Sequence, residues 1–291
     1  MLLGIDAYSY HWGCGHPFRI HTSDYYGLRD YYPRSAETMN LEKFLNRCLE
    51  LGAEGVEIDS CMWSKEKDPV GVMRAYADQF KYVNWSEAQS YIGVGESAEM
   101  TAQRSIVNLK MARDAGATIL RLVTGGNCFM KDPSPEEQVQ RVKENLLPVV
   151  KAAEEIGVVI ALENHADHRS WEIVDIIETI DSPALKANLD IGNPLPIGED
   201  MYEAAERMAP YTITVHFKDW KVTPLTFFGA KIVGAPLGQG VIDLPRILDI
   251  LEKGVPDPAN LRLNVEVMLE AGDEDKAVVE SMAYAKGILG K

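Results

Sequence analysis

Four ionisable residues stand at the ends of short apolar runs: Glu163 in VVIALENH, Asp190 in LKANLD, His216 in TITVHFKD and Glu266 in LRLNVEV. A charged group that close to a buried strand either faces a cavity or is desolvated, and an uncompensated buried charge is very costly. Three carboxylates do not crowd together without a cation, because like charges at short range force protonation. With one imidazole they make a hard, oxygen-rich donor set. It suits a single divalent ion, Mn2+ or Mg2+ first, with Co2+, Fe2+ or Zn2+ as alternatives; no thiolate joins the set to favour zinc. An ion held there is a Lewis acid for carbonyl chemistry.

Neighbouring residues extend this set. Side chains two apart on a strand share a face, which places His165 on the side of Glu163 and Lys218 on the side of His216. His165 is a candidate base or a hydrogen-bond partner for a ligating carboxylate, and the Lys218 ammonium a candidate partner for a substrate oxyanion. Asn193 and Arg169 fall in the loops that follow Asp190 and Glu163. Trp12, His11 and Tyr10 are candidates for an apolar wall against a sugar face.

The elements that must bring these residues together are legible as alternation. Apolar runs occur at residues 2–10, 55–59, 90–95, 118–124, 158–164, 185–190, 211–217 and 261–267. Between them, LEKFLNRCLELG, SAEMTAQRSIVNLKMARDAG, PEEQVQRVKENLLPVVKAAEEIG and SWEIVDIIETI carry apolar residues at helical spacing. Gly52, Gly116 and Gly157 are placed to stop helices just before the next strand. Strand–helix alternation implies parallel strands joined by right-handed crossovers. Eight such strands in 291 residues predict one (β/α)8 barrel domain spanning residues 1–291. The rival, an open doubly wound sheet, usually carries a Gly-rich dinucleotide loop after its first strand. Here that place is taken by YSYHWGCGHPFRIH, which has no GxGxxG.

In parallel strands in register, the strand ends converge on one rim, where barrel enzymes place their sites. Two long connections, residues 9–40 and 220–242, follow strand ends and are dense in aromatics or turn formers; they read as walls or lids of one pocket. For residues 21–40 the other reading is an oligomer contact, so self-association stays open.

Composition narrows the class. Lys and Arg total 29 against 44 Asp and Glu, a formal net charge of −15, and no local basic patch offsets it. Phosphate backbones and anionic lipid are therefore poor partners. No apolar run is long enough to span a bilayer, and the first residues do not read as a signal peptide. The four cysteines lack CxxC spacing and read as reduced thiols. A cytoplasmic location is the expectation.

The segments ALENH, ANLDIGN, TVHFKDW, PLGQGVIDLPRILDIL and NVEV resemble the sugar phosphate isomerase/epimerase family, the xylose isomerase-like barrels. The resemblance covers the chain from Leu41 onward and is clearest from Glu163 to Glu266. It implies a (β/α)8 barrel in which Glu163, Asp190, His216 and Glu266 bind one divalent metal. In the ketose 3-epimerases of that family, the residues matching Glu163 and Glu266 also exchange the proton on opposite faces of the substrate carbon. This chain departs from those epimerases in having Asn193 where they carry a histidine, and Lys218 and Lys221 but no arginine just beyond the histidine ligand. The Glu163–His165 spacing resembles members that eliminate across a keto sugar, such as C-glycoside deglycosidases.

The expected reaction is proton transfer on a ketose or keto-sugar derivative through an enediolate, with Glu163, Glu266 and His165 as the catalytic set. Return of the proton to the other face gives epimerisation, return to the next carbon gives isomerisation, and loss of a β-substituent gives a lyase such as a dehydratase. An endonuclease IV-like nuclease would need more than six histidines and a basic face. A non-catalytic sugar-binding barrel would be expected to lack one of the paired glutamates.

Overall fold

A computed structural model gives the structure of the protein and describes residues 1–15, 38–87, 92, 98–226 and 229–291. The chain runs through β1 (Leu2–Asp6), α1 (Leu41–Glu50), β2 (Gly55–Ile58), α2 (Ser60–Trp63), α3 (Pro69–Tyr76) and β3 (Tyr82–Glu87). It continues through α4 (Ala98–Asp114), β4 (Ile119–Val123), α5 (Pro135–Ile156), β5 (Val159–Glu163), α6 (Ser170–Ile180), β6 (Leu185–Asp190), α7 (Met201–Met208) and β7 (Thr212–Phe217). An antiparallel ribbon of β8 (Asp219–Thr226) and β9 (Gly229–Ala235) precedes α8 (Leu244–Gly254), β10 (Arg262–Val265) and α9 (Glu274–Leu289). Strands β1 to β7 and β10 are parallel, and β1 pairs with both β2 and β10, so the sheet closes on itself. The architecture is the expected (β/α)8 barrel and not an open sheet.

Local signals end the helices where the spacing predicts. Asn40 caps α1 by accepting from the Lys43 amide. Ser134 and Glu137 form a reciprocal capping box ahead of Pro135 at the start of α5. Gly52, Gly116 and Gly157 adopt φ of +64°, +84° and +80°, the left-handed conformation glycine takes most cheaply. On α5, Val139, Val142, Leu146, Val149 and Ala153 are buried, the three-and-four spacing of a face against the sheet.

Along every barrel strand the two faces differ in chemistry. Leu3, Ile5, Val56, Ile58, Leu120, Leu122, Ile160, Leu162, Val215, Phe217, Leu263 and Val265 belong to the apolar core. The alternate positions carry Asp6, Glu57, Asn84, Arg121, Glu163, Asn188, Asp190, Thr214, His216 and Asn264, all buried. The barrel interior is thus a polar column inside an apolar sleeve.

Two expectations need correction. The third strand is Tyr82–Glu87, not the run at residues 90–95. Its interior positions Asn84 and Ser86 are polar, so it lacks the continuous apolar character used to find the others. Of the run 90–95 only Ile92 falls among the described residues, and it is buried. The connection 220–242 is not irregular loop for most of its length, since β8 and β9 pair from Asp219–Ala235 to Thr226–Gly229. Alternation in DWKVTPLT pairs with GAKIVGA to satisfy both backbones locally. Within the other connection, residues 16–37 lie outside the described residues.

Among the described residues, no helix is long and apolar enough to cross a membrane. The cysteines Cys14, Cys48, Cys61 and Cys128 are free and buried.

Candidate metal centre

Strand order decides which side chains meet. The arc β10-β7-β6-β5 brings Glu266, His216, Asp190 and Glu163 onto consecutive strands, and the register pairs Asp190 directly with His216. His216 Nδ1 lies 3.2 Å from Glu266 Oε2, 3.5 Å from Glu163 Oε1 and 3.7 Å from Asp190 Oδ2. All four side chains are buried.

The donor set fits a divalent ion. Asp190 Oδ2, His216 Nδ1 and Glu266 Oε2 are buried without an aligned hydrogen-bond partner, and a buried acceptor is seldom left so. Lys218 Nζ is 2.6 Å from both Asp190 Oδ2 and Glu266 Oε2, near enough for ion pairing though off-line for a hydrogen bond. On the far side of the ring, His216 Nε2 is 2.8 Å from Glu57 Oε1. A ring nitrogen that donates to a carboxylate leaves the other nitrogen's lone pair free, the arrangement of a histidine ready to ligate a metal. Glu163, Asp190 and His216 offer ligand atoms all within 4.8 Å of one another. Glu266 adds a further oxygen beside them.

Charge balance in the cluster is tight. Burial opposes ionisation of Glu163, but Arg121 and His216 outweigh it and hold its pKa well below the ordinary carboxylate value. Glu266 is likewise held low against burial, by Lys218 and His216. Burial lowers the affinity of Lys218 for its proton, and Asp190 and Glu266 more than offset that, so the ammonium is retained. For His216 burial is outweighed by Glu163, Glu266 and Glu57, which raise its pKa well above that of a free imidazole.

Several side chains and amides surround the cluster. Asn193 Nδ2 donates to Glu163 Oε1 at 3.2 Å, and the amides of Gly192 and Asn193 both donate to Asp190 Oδ1, at 2.9 and 3.0 Å. Gly192 is needed here, since a Cβ would stand 2.2 Å from Trp220 Nε1 and 2.9 Å from Lys218 Cδ. Asp219 accepts from the amides of Trp220, Gly238, Gly240 and Ile242, which ties the PLGQG segment to the strand end that carries Lys218. His165 is exposed beside the strand end, near enough for its charge to favour the ionised form of Glu163.

Others are engaged elsewhere. His11 contacts the carbonyls of Tyr8 and Leu269 and the carboxylate of Glu274. Trp12 donates its indole N–H to the Leu269 carbonyl at 2.7 Å and its amide to Glu274. Tyr10 is buried against Phe44 and donates to Asp275. Together they fasten the turn after β1 to the β10–α9 connection. Arg169 donates to the Ile197 carbonyl, with its guanidinium over the rings of Trp171 and Phe129.

The sequence reading passed over two residues of this site. Arg121 of β4 forms a buried ion pair with Glu163 and donates to Ser86 Oγ. Glu57 of β2 faces His216. Both interrupt apolar runs, TILRLVT and GVEID, the signal that singled out the other four; the difference is that they sit inside their strands and not at the ends.

Residues 45–287 match the family model for the xylose isomerase-like TIM barrel. The chain belongs to this family. Among curated proteins, this barrel is 25% identical over 159 residues to the 3-oxo-isoapionate decarboxylase of Pectobacterium atrosepticum, covering 54% of each chain. It thus spans about half the length of that curated relative. Among solved structures, it resembles the zinc-bound protein IOLI with a TM-score of 0.73, 15% identity and coverage of 100% of this chain and 98% of the other. It also resembles the D-psicose 3-epimerase of Clostridium cellulolyticum H10, solved with D-tagatose, with a TM-score of 0.71, 14% identity and 99% coverage of both chains.

Proposed function

We propose that this xylose isomerase-like barrel is a divalent-metal-dependent enzyme that moves a proton next to the carbonyl of a ketose or keto-sugar derivative, giving epimerisation or isomerisation. The observation that carries the reading is the arc of strands. Glu163 on β5 and Glu266 after β10 stand at opposite ends of it, with Asp190 and His216 between them. Two carboxylates flanking one small space are what proton removal and return require.

Glu163, Asp190, His216 and Glu266 would hold the ion. When bound, it would polarise the carbonyl and a neighbouring hydroxyl and lower the barrier to the enediolate. The glutamates differ in freedom. Glu163 is fixed by Arg121 on one oxygen and Asn193 on the other, whereas Glu266 pairs with Lys218. Glu163 is therefore the group whose orientation is fixed in advance by hydrogen bonds to both oxygens. Lys218, buried beside both Asp190 and Glu266, is placed to hold the developing oxyanion. His165, exposed beside Glu163, is placed to relay the proton to solvent.

A second reading, elimination or decarboxylation on a keto sugar, draws support from the two buried cations Arg121 and Lys218 and from the decarboxylase among the relatives. Loss of carbon dioxide leaves the same kind of enediolate as proton loss, and a β-substituent is expelled from the enediolate that proton loss forms.

The test is metal analysis of the purified protein, then uptake of solvent deuterium into a panel of ketoses and 3-keto glycosides. Metal-dependent exchange, lost in Glu266→Gln with the fold intact, supports proton transfer. Release of a β-substituent or carbon dioxide without exchange into recovered substrate selects the second reading. Full activity in both Glu266→Gln and Glu163→Gln, or turnover undiminished by chelation, would sink the proposal.

A further inference from the structure

The buried hydrogen bonds behind His216 have a direction, and that direction can be followed from one end of the barrel. Arg262 has only donors, and its Nη1 donates to Asn84 Oδ1 at 2.6 Å. With its oxygen so occupied, Asn84 turns its amide nitrogen inward, where it donates to Glu57 Oε2 at 3.0 Å and to Thr214 Oγ1 at 2.9 Å. A second amide, on β10, reaches the same place. The Tyr82 hydroxyl donates to Asn264 Oδ1 at 2.7 Å, and Asn264 Nδ2 donates to Glu57 Oε2 at 3.1 Å and to Thr214 Oγ1 at 3.0 Å. Two amides thus converge on one oxygen of Glu57, and that of Asn84 is oriented by a guanidinium that cannot accept. Its other oxygen is 2.8 Å from His216 Nε2. Glu57, Asn84, Asn264 and His216 are each 0% exposed, so bulk solvent does not reach these bonds.

We infer that Glu57, oriented by Asn84 and Asn264, is a positioning residue that fixes the proton of His216 on Nε2 and so commits Nδ1 to a metal ion. The inference rests on the metal-dependent reading above and adds a dedicated tautomer lock on the opposite side of the ligand. A carboxylate that only accepts leaves His216 Nε2 no role but donor. In the neutral ring Nδ1 is then the atom with the lone pair, and it is the atom that faces Glu163, Asp190 and Glu266. Asp6 Oδ2 lies 3.6 Å from the same Nε2.

The deciding experiment combines nitrogen NMR and calorimetry on the full-length protein. With histidine labelled by nitrogen-15 and cadmium-113 bound, the ion is expected to couple to His216 Nδ1, with a proton on Nε2. Glu57→Gln keeps an acceptor for Asn84 and Asn264 but turns an amide donor toward His216 Nε2, and is expected to weaken Mn2+ binding by about 10–100-fold, the usual cost of disturbing a ligand's supporting partner. Tyr82→Phe keeps the ring and frees the Asn264 amide; it is expected to weaken binding by about threefold, the smaller end of what one hydrogen bond contributes. It serves where Glu57→Gln does not fold. Coupling of cadmium to Nε2, or Mn2+ affinity undiminished in the folded variants, would overturn the inference while leaving the metal-dependent reading standing. A wild-type protein that takes up no divalent ion would overturn both.

Discussion

On the arc β5–β6–β7–β10, Asp190 Oδ2, His216 Nδ1 and Glu266 Oε2 are buried acceptors without an aligned hydrogen-bond partner. On the arc β1–β2–β3 the equally buried Glu57 accepts from Asn84, Asn264 and His216. The two arcs have similar burial and similar residue types, so neither burial nor charge separates a ligand from a supporting group. What separates them is hydrogen-bond completeness. A satisfied carboxylate gains little from a further cation, whereas convergent acceptors without aligned hydrogen bonds gain more from one.

Breaking the unsatisfied arc has the largest expected effect. Asp190→Asn removes a ligand charge at a fully buried position and is expected to abolish tight metal binding and reduce kcat by about a thousandfold or more, the scale at which loss of a preorganised electrostatic group is felt. Metal titration and turnover on the same preparation check it. Retained affinity would erase the distinction between the arcs.

The ion pair between β4 and β5 comes next. Arg121→Met leaves Glu163 buried without its cation and is expected to cost about 3–5 kcal/mol of stability at neutral pH, measured by denaturant unfolding of the metal-free protein. The sign with pH follows from the depressed pKa of Glu163. Its contribution to stability is present above the unfolded value, 4.5 in a free glutamate, and is lost as pH falls through the folded value. Wild type should therefore weaken on acidification below that point. Arg121→Met should show a shallower acid limb, and an unchanged slope would assign the dependence to other carboxylates.

Asn193→Ala removes the donor to Glu163 Oε1 and is expected to lower kcat by about tenfold through loss of one hydrogen bond to a charged group, with little change in melting temperature. Steady-state kinetics beside a thermal melt separates the two. The smallest effect is expected outside both arcs. Trp12→Phe loses the bond to the Leu269 carbonyl, about 1 kcal/mol of stability, with kcat unchanged. A large fall in kcat would return Trp12 to the substrate wall.

The legibility of this protein in its sequence followed the contrast between neighbouring residues. Glu163, Asp190, His216 and Glu266 stood out because each ends an apolar run, and Lys218 and Asn193 followed from strand and turn spacing. Tyr82–Glu87 escaped because a strand whose inward positions are Asn84 and Ser86 has no apolar run to find. Arg121 and Glu57 escaped because a single charge inside a strand reads as an exposed alternate position until the barrel is known to close around it. Trp12, His11 and Tyr10 were read as a wall from residue type alone, and their partners Leu269, Glu274 and Asp275 lie more than 250 residues away.

Periodicity, helix stops and the ends of apolar runs are local properties, so the sequence by itself determined the alternation of strands and helices, seven of the eight barrel strands and the four clustered ionisable residues. Partner choice is not local. Which oxygen meets which nitrogen, which face of His216 is tied and which is open, and which cation neutralises Glu163 depend on strand register and closure. Those were decided only by the tertiary structure, because hydrogen bonds and ion pairs act over a few ångströms between residues that the chain holds far apart.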